Sequence, residues 1–304
     1  MPIGGMVYVN GTISRADEAM VPVYDHGFLY GEGIYETLRT YNLVPFLYDR
    51  HVARLRASAA RLKLDVPFDD GALLGWVNET VAAAGAMPGM PAMKEAYVRV
   101  LLTRGVGELT YDVKSTPAPT VVIIVKPLEE SPARVFTDGI NVALVPIVRN
   151  HPESVNPVIK SNNLLNNALA MQEANRRGAE EGLMCNYRGE LSECSQANFF
   201  LVRGGVAITP KSEAGLLEGI TRGYLFDVGK EVGIDVREET LFPRDLEPPL
   251  IDEAFITSTT RELSPVTRLD GRPVGTGAPG AVTKRLLEGY RKRARELTRA
   301  AQTK

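Results

Sequence analysis

Pro157-Val158-Ile159-Lys160-Ser161-Asn162-Asn163 is the stretch on which the reading of this chain turns. An apolar lead-in places Lys160 at the end of a buried strand. The asparagine-rich turn after it opens a helix, read over Leu164–Arg177 and stopped by Gly178. Desolvation at such a place lowers the pKa of an amine. A lysine so perturbed can act as nucleophile and base. Local context leaves a second reading open, a surface lysine at a helix start.

Outward from this stretch, the chain alternates strand-like and helix-like segments. On the N-terminal side, Met6–Val9 and Met20–Val23 read as short strands, and Ile34–Tyr41 and Pro45–Tyr48 as a hairpin about Asn42. Asp49 reads as the N-cap of a helix with Val52, Leu55, Ala59 and Leu62 on one stripe. A second helix covers Asp70–Ala84 and ends in Gly85 and a loop, MPGMP. Lys94–Thr103 and Thr120–Lys126 are rich in Val, Ile and Tyr and read as strands. Residues 127–134, PLEESPAR, break the pattern and read as a linker. Beyond it come strands at Ile140–Ile147, Gly182–Asn186, Asn198–Val202, Val206–Ile208, Ile234–Glu238 and Ala254–Thr257. A helix spans Ile220–Val232 with Gly233 as its stop. Another fills Gly280–Ala300, with Val282, Leu286, Tyr290 and Leu297 on one face. The expectation is a mixed α/β chain of two domains, 1–126 and 135–304, joined by that linker.

Composition narrows the function. The chain has 304 residues, 44% of them hydrophobic and 24% charged, which excludes a disordered or collagen-like protein. A net charge of −2 supplies no positive field for nucleic acid. The cysteines, Cys185 and Cys194, form no CxxC pair, and the three histidines are scattered without an HExxH, so no disulfide framework and no metal site is expected. No apolar run approaches the ~20 residues of a membrane helix, and the N-terminus has no signal-peptide pattern. The expectation is a soluble cytoplasmic protein with no membrane partner. Gly31-Glu32-Gly33 lacks the third glycine of a dinucleotide fingerprint and precedes a strand.

Three further segments can carry chemistry. Glu193 lies in a small-residue turn, read as leading into the apolar strand at Asn198. It could face a cofactor or stand exposed. In Leu216-Leu217-Glu218-Gly219-Ile220-Thr221-Arg222, a glycine before a helix start offers free N–H groups to an anion. Plain helix capping is the other reading. Thr257-Ser258-Thr259-Thr260 sets four hydroxyls after a strand, fit for a phosphate or for an ordinary turn. Together with Lys160 these are the parts that pyridoxal phosphate requires: an amine, a carboxylate for the pyridine nitrogen and phosphate cradles.

The segments DHGFLYGEGIYETLR (25–39), HVARLRAS (51–58), IKSNNLLNNALA (159–170), LSECSQANFF (191–200), LLEGITR (216–222) and FITSTTRELSPV (255–266) resemble, in order, those of the class IV aminotransferases of PLP fold type IV. That family includes branched-chain amino-acid aminotransferases, D-amino-acid aminotransferases and aminodeoxychorismate lyase. The resemblance implies a small N-terminal α/β domain and a larger C-terminal pseudo-barrel domain, pyridoxal 5'-phosphate as cofactor and a homodimer or higher homo-oligomer. It implies Lys160 as the Schiff-base lysine and Glu193 as the partner of the pyridine nitrogen. Arg54, Ile220, Thr221 and Thr259 fall on phosphate contacts and Leu217 on the ring face. Ser258, counted with the cofactor contacts, and Thr260 stand beside the substrate. Tyr30, Tyr35, Tyr97 and Arg99 would line the substrate pocket.

Tyr97-Val98-Arg99 matches the YxR pattern of branched-chain enzymes, with Val100 in place of the usual proline. Thr103–Leu109, TRGVGEL, is also of that type, and GELTYDVK (107–114) lacks the RxH trap of D-amino-acid enzymes. Ser258-Thr259-Thr260 and Leu165, where branched-chain enzymes carry a tyrosine, are closer to the D-amino-acid group, and Cys194 replaces a glycine. The resemblance implies transfer of an amino group from a branched-chain L-amino acid to a 2-oxo acid such as 2-oxoglutarate. The alternatives are a D-amino-acid or R-amine transaminase and, after these, a lyase.

Overall fold

A computed structural model describes residues 4–87 and 92–302. The part of the expected MPGMP loop at 88–91 lies outside them. The chain forms two compact units, one of residues up to Glu129 with Ile159–Asn163 and the segment from Leu297, the other of Glu130–Val158 and Leu164–Glu296. Lys160 therefore belongs to the first unit, although the expected division assigned all of 135–304 to the second domain.

The first unit contains β1 (Met6–Val9), β2 (Thr12–Arg15), α1 (His26–Leu29), β3 (Gly33–Tyr41), β4 (Val44–Pro45), α2 (Tyr48–Leu62), α3 (Asp70–Gly85), β5 (Ala96–Thr103) and β6 (Thr120–Pro127). Its sheet is antiparallel in the order β2-β1-β6-β5-β3-β4. Strand alternation sends Ile34, Leu38, Val98, Val100, Leu102, Ile123 and Val125 to a core with Val52 and Leu55 of α2 and Leu73 and Val77 of α3. Tyr35 and Thr37 of β3 and Tyr97 and Arg99 of β5 fall on the other face, Thr37 opposite Arg99. Ile159–Asn163 runs along the edge of β3 that β4 leaves open. The Tyr35 N–H donates to the Lys160 carbonyl and the Asn162 N–H to the Gly33 carbonyl, both at 2.9 Å.

The second unit contains α4 (Ala133–Thr137), β7 (Ile140–Leu144), α5 (Leu165–Arg176), β8 (Glu181–Cys185), β9 (Leu191–Cys194), β10 (Asn198–Arg203), β11 (Val206–Pro210), α6 (Ile220–Val232), β12 (Val236–Glu239), β13 (Glu253–Ser258), β14 (Glu262–Leu269), β15 (Arg272–Pro273) and most of α7 (Ala281–Gln302). Its sheet runs β12-β11-β10-β13-β14-β7-β8-β9, with β15 on β14. The pairs β11–β12, β14–β7 and β7–β8 are parallel and the remainder antiparallel. Val142, Leu183, Leu191, Phe199, Leu201, Ile208, Ile256 and Val266 build its main core. No helix among the described residues is long and apolar enough to cross a membrane.

Several expectations are corrected. Met20–Val23 is not a strand, and Met20, Val21 and Val23 are exposed. The partner of β1 is instead the polar β2, which carries no alternation strong enough to read. Pairing in the hairpin stops at Pro45 because Leu47 turns left-handed (φ 52°). The helix then begins at Tyr48, so Asp49 lies in its first turn and is not the N-cap. Glu193 sits on strand β9, not in a turn. On α7, Leu286 and Tyr290 are buried, but Leu297 is exposed and Thr298 is buried in its place, accepting from Asn42 Nδ2 at 3.0 Å.

Candidate active site

In the first unit, Lys160 is half-buried and fixed at its backbone, where its N–H donates to Ser58 Oγ of α2 at 3.2 Å. Its Nζ lies 4.4 Å from the centroid of the Tyr35 ring, and the Arg99 guanidinium carbon lies 4.0 Å from the same centroid. Two cations thus share one aromatic ring. Tyr97 is two residues from Arg99 on the same strand face, with Lys126 Nζ 5.7 Å from its ring. Tyr30 belongs to a different cluster, edge-on to the His26 ring at 4.9 Å and tilted against Tyr111 at 5.0 Å.

Arg54 reaches from α2 to Glu36 of β3. Its Nε and Nη2 donate to the two carboxylate oxygens at 2.7 and 2.8 Å. His51 Nδ1 lies 2.7 Å from Glu36 Oε2. Burial alone would raise the Glu36 pKa, but Arg54 and then His51 outweigh it and hold the group at about 2. Burial pushes the His51 pKa below its ordinary value against the pull of Glu36, and the charges of Arg54 and Lys160 push the same way. A fork of this kind fixes the orientation of the arginine. Glu36 and His51 were missed from sequence. The signal was there, since Glu36 stands between Ile34 and Leu38 on the core-facing side of β3, where a carboxylate needs a reason.

In the second unit, Glu193 is buried. Its Oε1 accepts from Arg149 Nε at 2.9 Å and its Oε2 from Asn198 Nδ2 at 3.2 Å. Arg149 also donates to Asn166 Oδ1 (2.9 Å), and Asn198 Nδ2 to the Leu217 carbonyl (2.8 Å). Asn198 therefore ties Glu193 to the segment before α6. That helix begins at Gly219, which offers no side-chain cap. A Cβ on Gly219 would lie 2.0 Å from Asn198 Oδ1, so the close approach requires glycine. The first-turn N–H groups at Ile220 and Thr221 form the positive end of a 13-residue helix. Asn198 pairs in register with Thr257, whose buried Oγ1 has no hydrogen-bond partner. Ser258, Thr259 and Thr260 follow at the end of β13 and in the turn to β14, all half-buried. The second unit thus gathers Glu193, Leu217, the start of α6 and the approach to the hydroxyl turn. Sequence reading did not single out Arg149, Asn166 or Asn198. Asn198 was visible only as a polar residue opening the Phe199-Phe200 run, and nothing marked Arg149.

The first unit offers an amine beside an aromatic ring and a guanidinium. The second offers a carboxylate held by two donors and a helix start suited to an anion. The family described as amino-transferase class IV matches residues 33–269. A Methanocaldococcus jannaschii protein provisionally named branched-chain-amino-acid aminotransferase is 36% identical over 285 residues, 94% of this chain and 95% of that one. A D-alanine aminotransferase of Listeria monocytogenes is 34% identical over 297 residues, 97% of this chain and 96% of its own. Among solved structures, a T.th. branched-chain amino acid aminotransferase with pyridoxamine 5'-phosphate superposes with a TM-score of 0.89 at 28% identity, covering 97% of this chain and 96% of that one. The chain belongs to the class IV aminotransferases.

Proposed function

We propose that this aminotransferase works with pyridoxal 5'-phosphate and moves an amino group from a branched-chain L-amino acid to a 2-oxo acid such as 2-oxoglutarate, as a homodimer. The residues fit the cofactor: the glycine-lined start of α6 that a Cβ would close, the orphaned Thr257 hydroxyl beside it, and the buried Glu193 acceptor are what a phosphorylated pyridine needs. The T.th. relative was crystallised with the pyridoxamine form. Bound, the cofactor supplies an electron sink for carbanionic character at the substrate Cα.

The chain's own residues do the rest. Lys160 Nζ would provide the amine that holds the cofactor, and the same amine would take the proton from the substrate Cα onto Nζ. Glu193 keeps a proton on the ring nitrogen, with Arg149 and Asn198 holding the carboxylate in place. The N–H groups of Ile220 and Thr221, with Arg54 and Thr259, hold the phosphate, and Leu217 packs on the ring. Arg99 binds the substrate carboxylate, and the faces of Tyr35 and Tyr97 take an aliphatic side chain, with Thr260 alongside, while Tyr30 stands apart in the cluster with His26 and Tyr111.

The observation that carries the substrate assignment is the Tyr35 ring shared by Lys160 and Arg99, which sets a carboxylate anchor beside the amine over an apolar face. A second reading, a D-amino-acid transaminase, has the Listeria relative and the Ser258-Thr259-Thr260 hydroxyls in its favour. Stopped-flow bleaching of the visible cofactor band by L-leucine, L-isoleucine, L-valine, D-alanine and (R)-1-phenylethylamine separates the two. We expect the L-amino acids to react fastest. Faster bleaching by D-alanine than by all three would replace the branched-chain assignment with the second reading.

A further inference from the structure

The turn from β13 to β14 is held by a side chain that the proposed function does not use. Arg261 donates twice to Ser258 Oγ, from its backbone N–H at 3.4 Å and from Nε at 3.3 Å. Its Nη2 donates to Glu181 Oε1 at 2.5 Å. Glu181, at the start of β8, is fully buried, and its other oxygen accepts from the Gln196 N–H at 3.2 Å, in the connection between β9, which carries Glu193, and β10. The neighbouring Ser195 is pinned to the same strand, with its N–H donating to the Gly182 carbonyl and its hydroxyl accepting from the Gly182 N–H. Arg261 and Glu181 therefore brace the hydroxyl turn against the segment after Glu193.

A serine hydroxyl has two acceptor positions and one hydrogen. At Ser258 both acceptor positions are engaged by Arg261. What remains is the hydrogen, so this half-buried hydroxyl is disposed to donate.

We propose that Arg261, set by Glu181, is a positioning residue that disposes Ser258 to donate to an anionic oxygen of the bound reactants, a cofactor phosphate or a substrate carboxylate. This rests on reading the 258–260 turn as part of the cofactor and substrate site. Without Arg261 the Ser258 hydroxyl could accept as readily as donate, and its preference for an anion would relax. Arg261 touches neither reactant in this account and acts through Ser258.

The test uses the full-length protein stripped of cofactor, titrated with pyridoxal 5'-phosphate, with pyridoxal and with inorganic phosphate, and the reloaded protein for the amino-donor KM. Arg261→Met is made together with Glu181→Gln so that no lone charge is left buried. The expected result is a loss of about tenfold in one anion-dependent quantity, equal to that of Ser258→Ala, since a hydrogen bond to a charged group has that order of strength. Combining all three substitutions should cost no more than Ser258→Ala alone. Arg261→Lys should recover part of the loss. If pyridoxal 5'-phosphate and inorganic phosphate weaken while pyridoxal does not, the anion is the phosphate. If only the donor KM rises, it is the carboxylate. Ser258→Ala and the Arg261 pair having additive effects, or the Arg261 pair leaving every quantity unmoved, overturns the proposal. A wild-type protein that binds pyridoxal but gains nothing from its phosphate, with a donor KM indifferent to Ser258→Ala, removes the anion site itself and so the reading beneath it.

Discussion

Glu36 is the residue at which packing and chemistry meet. It occupies a core-facing position of β3, yet it is ionised, because Arg54 and His51 close on both of its oxygens. In the unfolded chain such a carboxyl takes up its proton near 4.5, and in the folded chain it resists until about 2. Between those values unfolding binds a proton. The contribution of Glu36 is thus complete above about 4.5 and is lost as pH falls through about 2. Glu36→Gln should lower stability at neutral pH by about 3–5 kcal/mol, the usual cost of breaking a buried pair. It should also flatten the acid limb of the stability curve, as read by urea unfolding from neutral to acid pH. A variant that loses stability toward low pH as steeply as the wild type would place the titrating charge elsewhere. Sequence made Arg54 legible through its helix motif; Glu36 showed only as a carboxylate at a core-facing strand position, and its partners Arg54 and His51 come from packing against α2.

At the scale of elements, α6 shows how a sequence-level stop and start can be read to the residue. Gly219 and Gly233 bound a helix over Ile220–Val232, as the expectation had it, because both ends are set locally. Sheet order was not local. β9 and β14 were missed, since each is buried along nearly its whole length and neither sustains an apolar–polar alternation from end to end. Gly219 is also where local and long-range demands coincide. Gly219→Ala puts a methyl group onto Asn198 Oδ1 and forces that amide off Glu193 and the Leu217 carbonyl. Affinity of the stripped protein for pyridoxal 5'-phosphate should fall by at least about tenfold, with a stability loss of roughly 1–3 kcal/mol from overpacking. Fluorescence titration and thermal melting read the two. Unaltered affinity with lowered stability would mean that the start of α6 does not hold the phosphate.

At the scale of the whole molecule, two loops of the first unit are joined into one surface. The His26 N–H donates to the Gly105 carbonyl, the Gly107 N–H to the Tyr24 carbonyl, and Tyr30 meets Tyr111. Met20, Val23, Leu109 and Tyr111 of these loops and Phe28 of α1 are all more than 60% exposed. Isolated exposed apolar residues are ordinary, whereas large exposed apolar patches mark interaction sites. These loops are where the contact of the homodimer proposed above can be tested. The apolar residues were legible in sequence, and Met20–Val23 was read as a short strand because apolar character alone does not separate a strand from an exposed apolar loop. If a second copy of the chain covers these loops, sedimentation of the purified protein should give a dimer. Phe28→Asp combined with Leu109→Asp should shift it to monomer, because an interface core tolerates charge poorly. Tyr187→Asp, a comparably exposed aromatic on the second unit, should leave the dimer intact. A dimer that survives the Phe28 and Leu109 changes but not the Tyr187 change would move the interface to the second unit. Monomeric wild-type protein at micromolar concentration would remove the dimer and require another occupant for the loops.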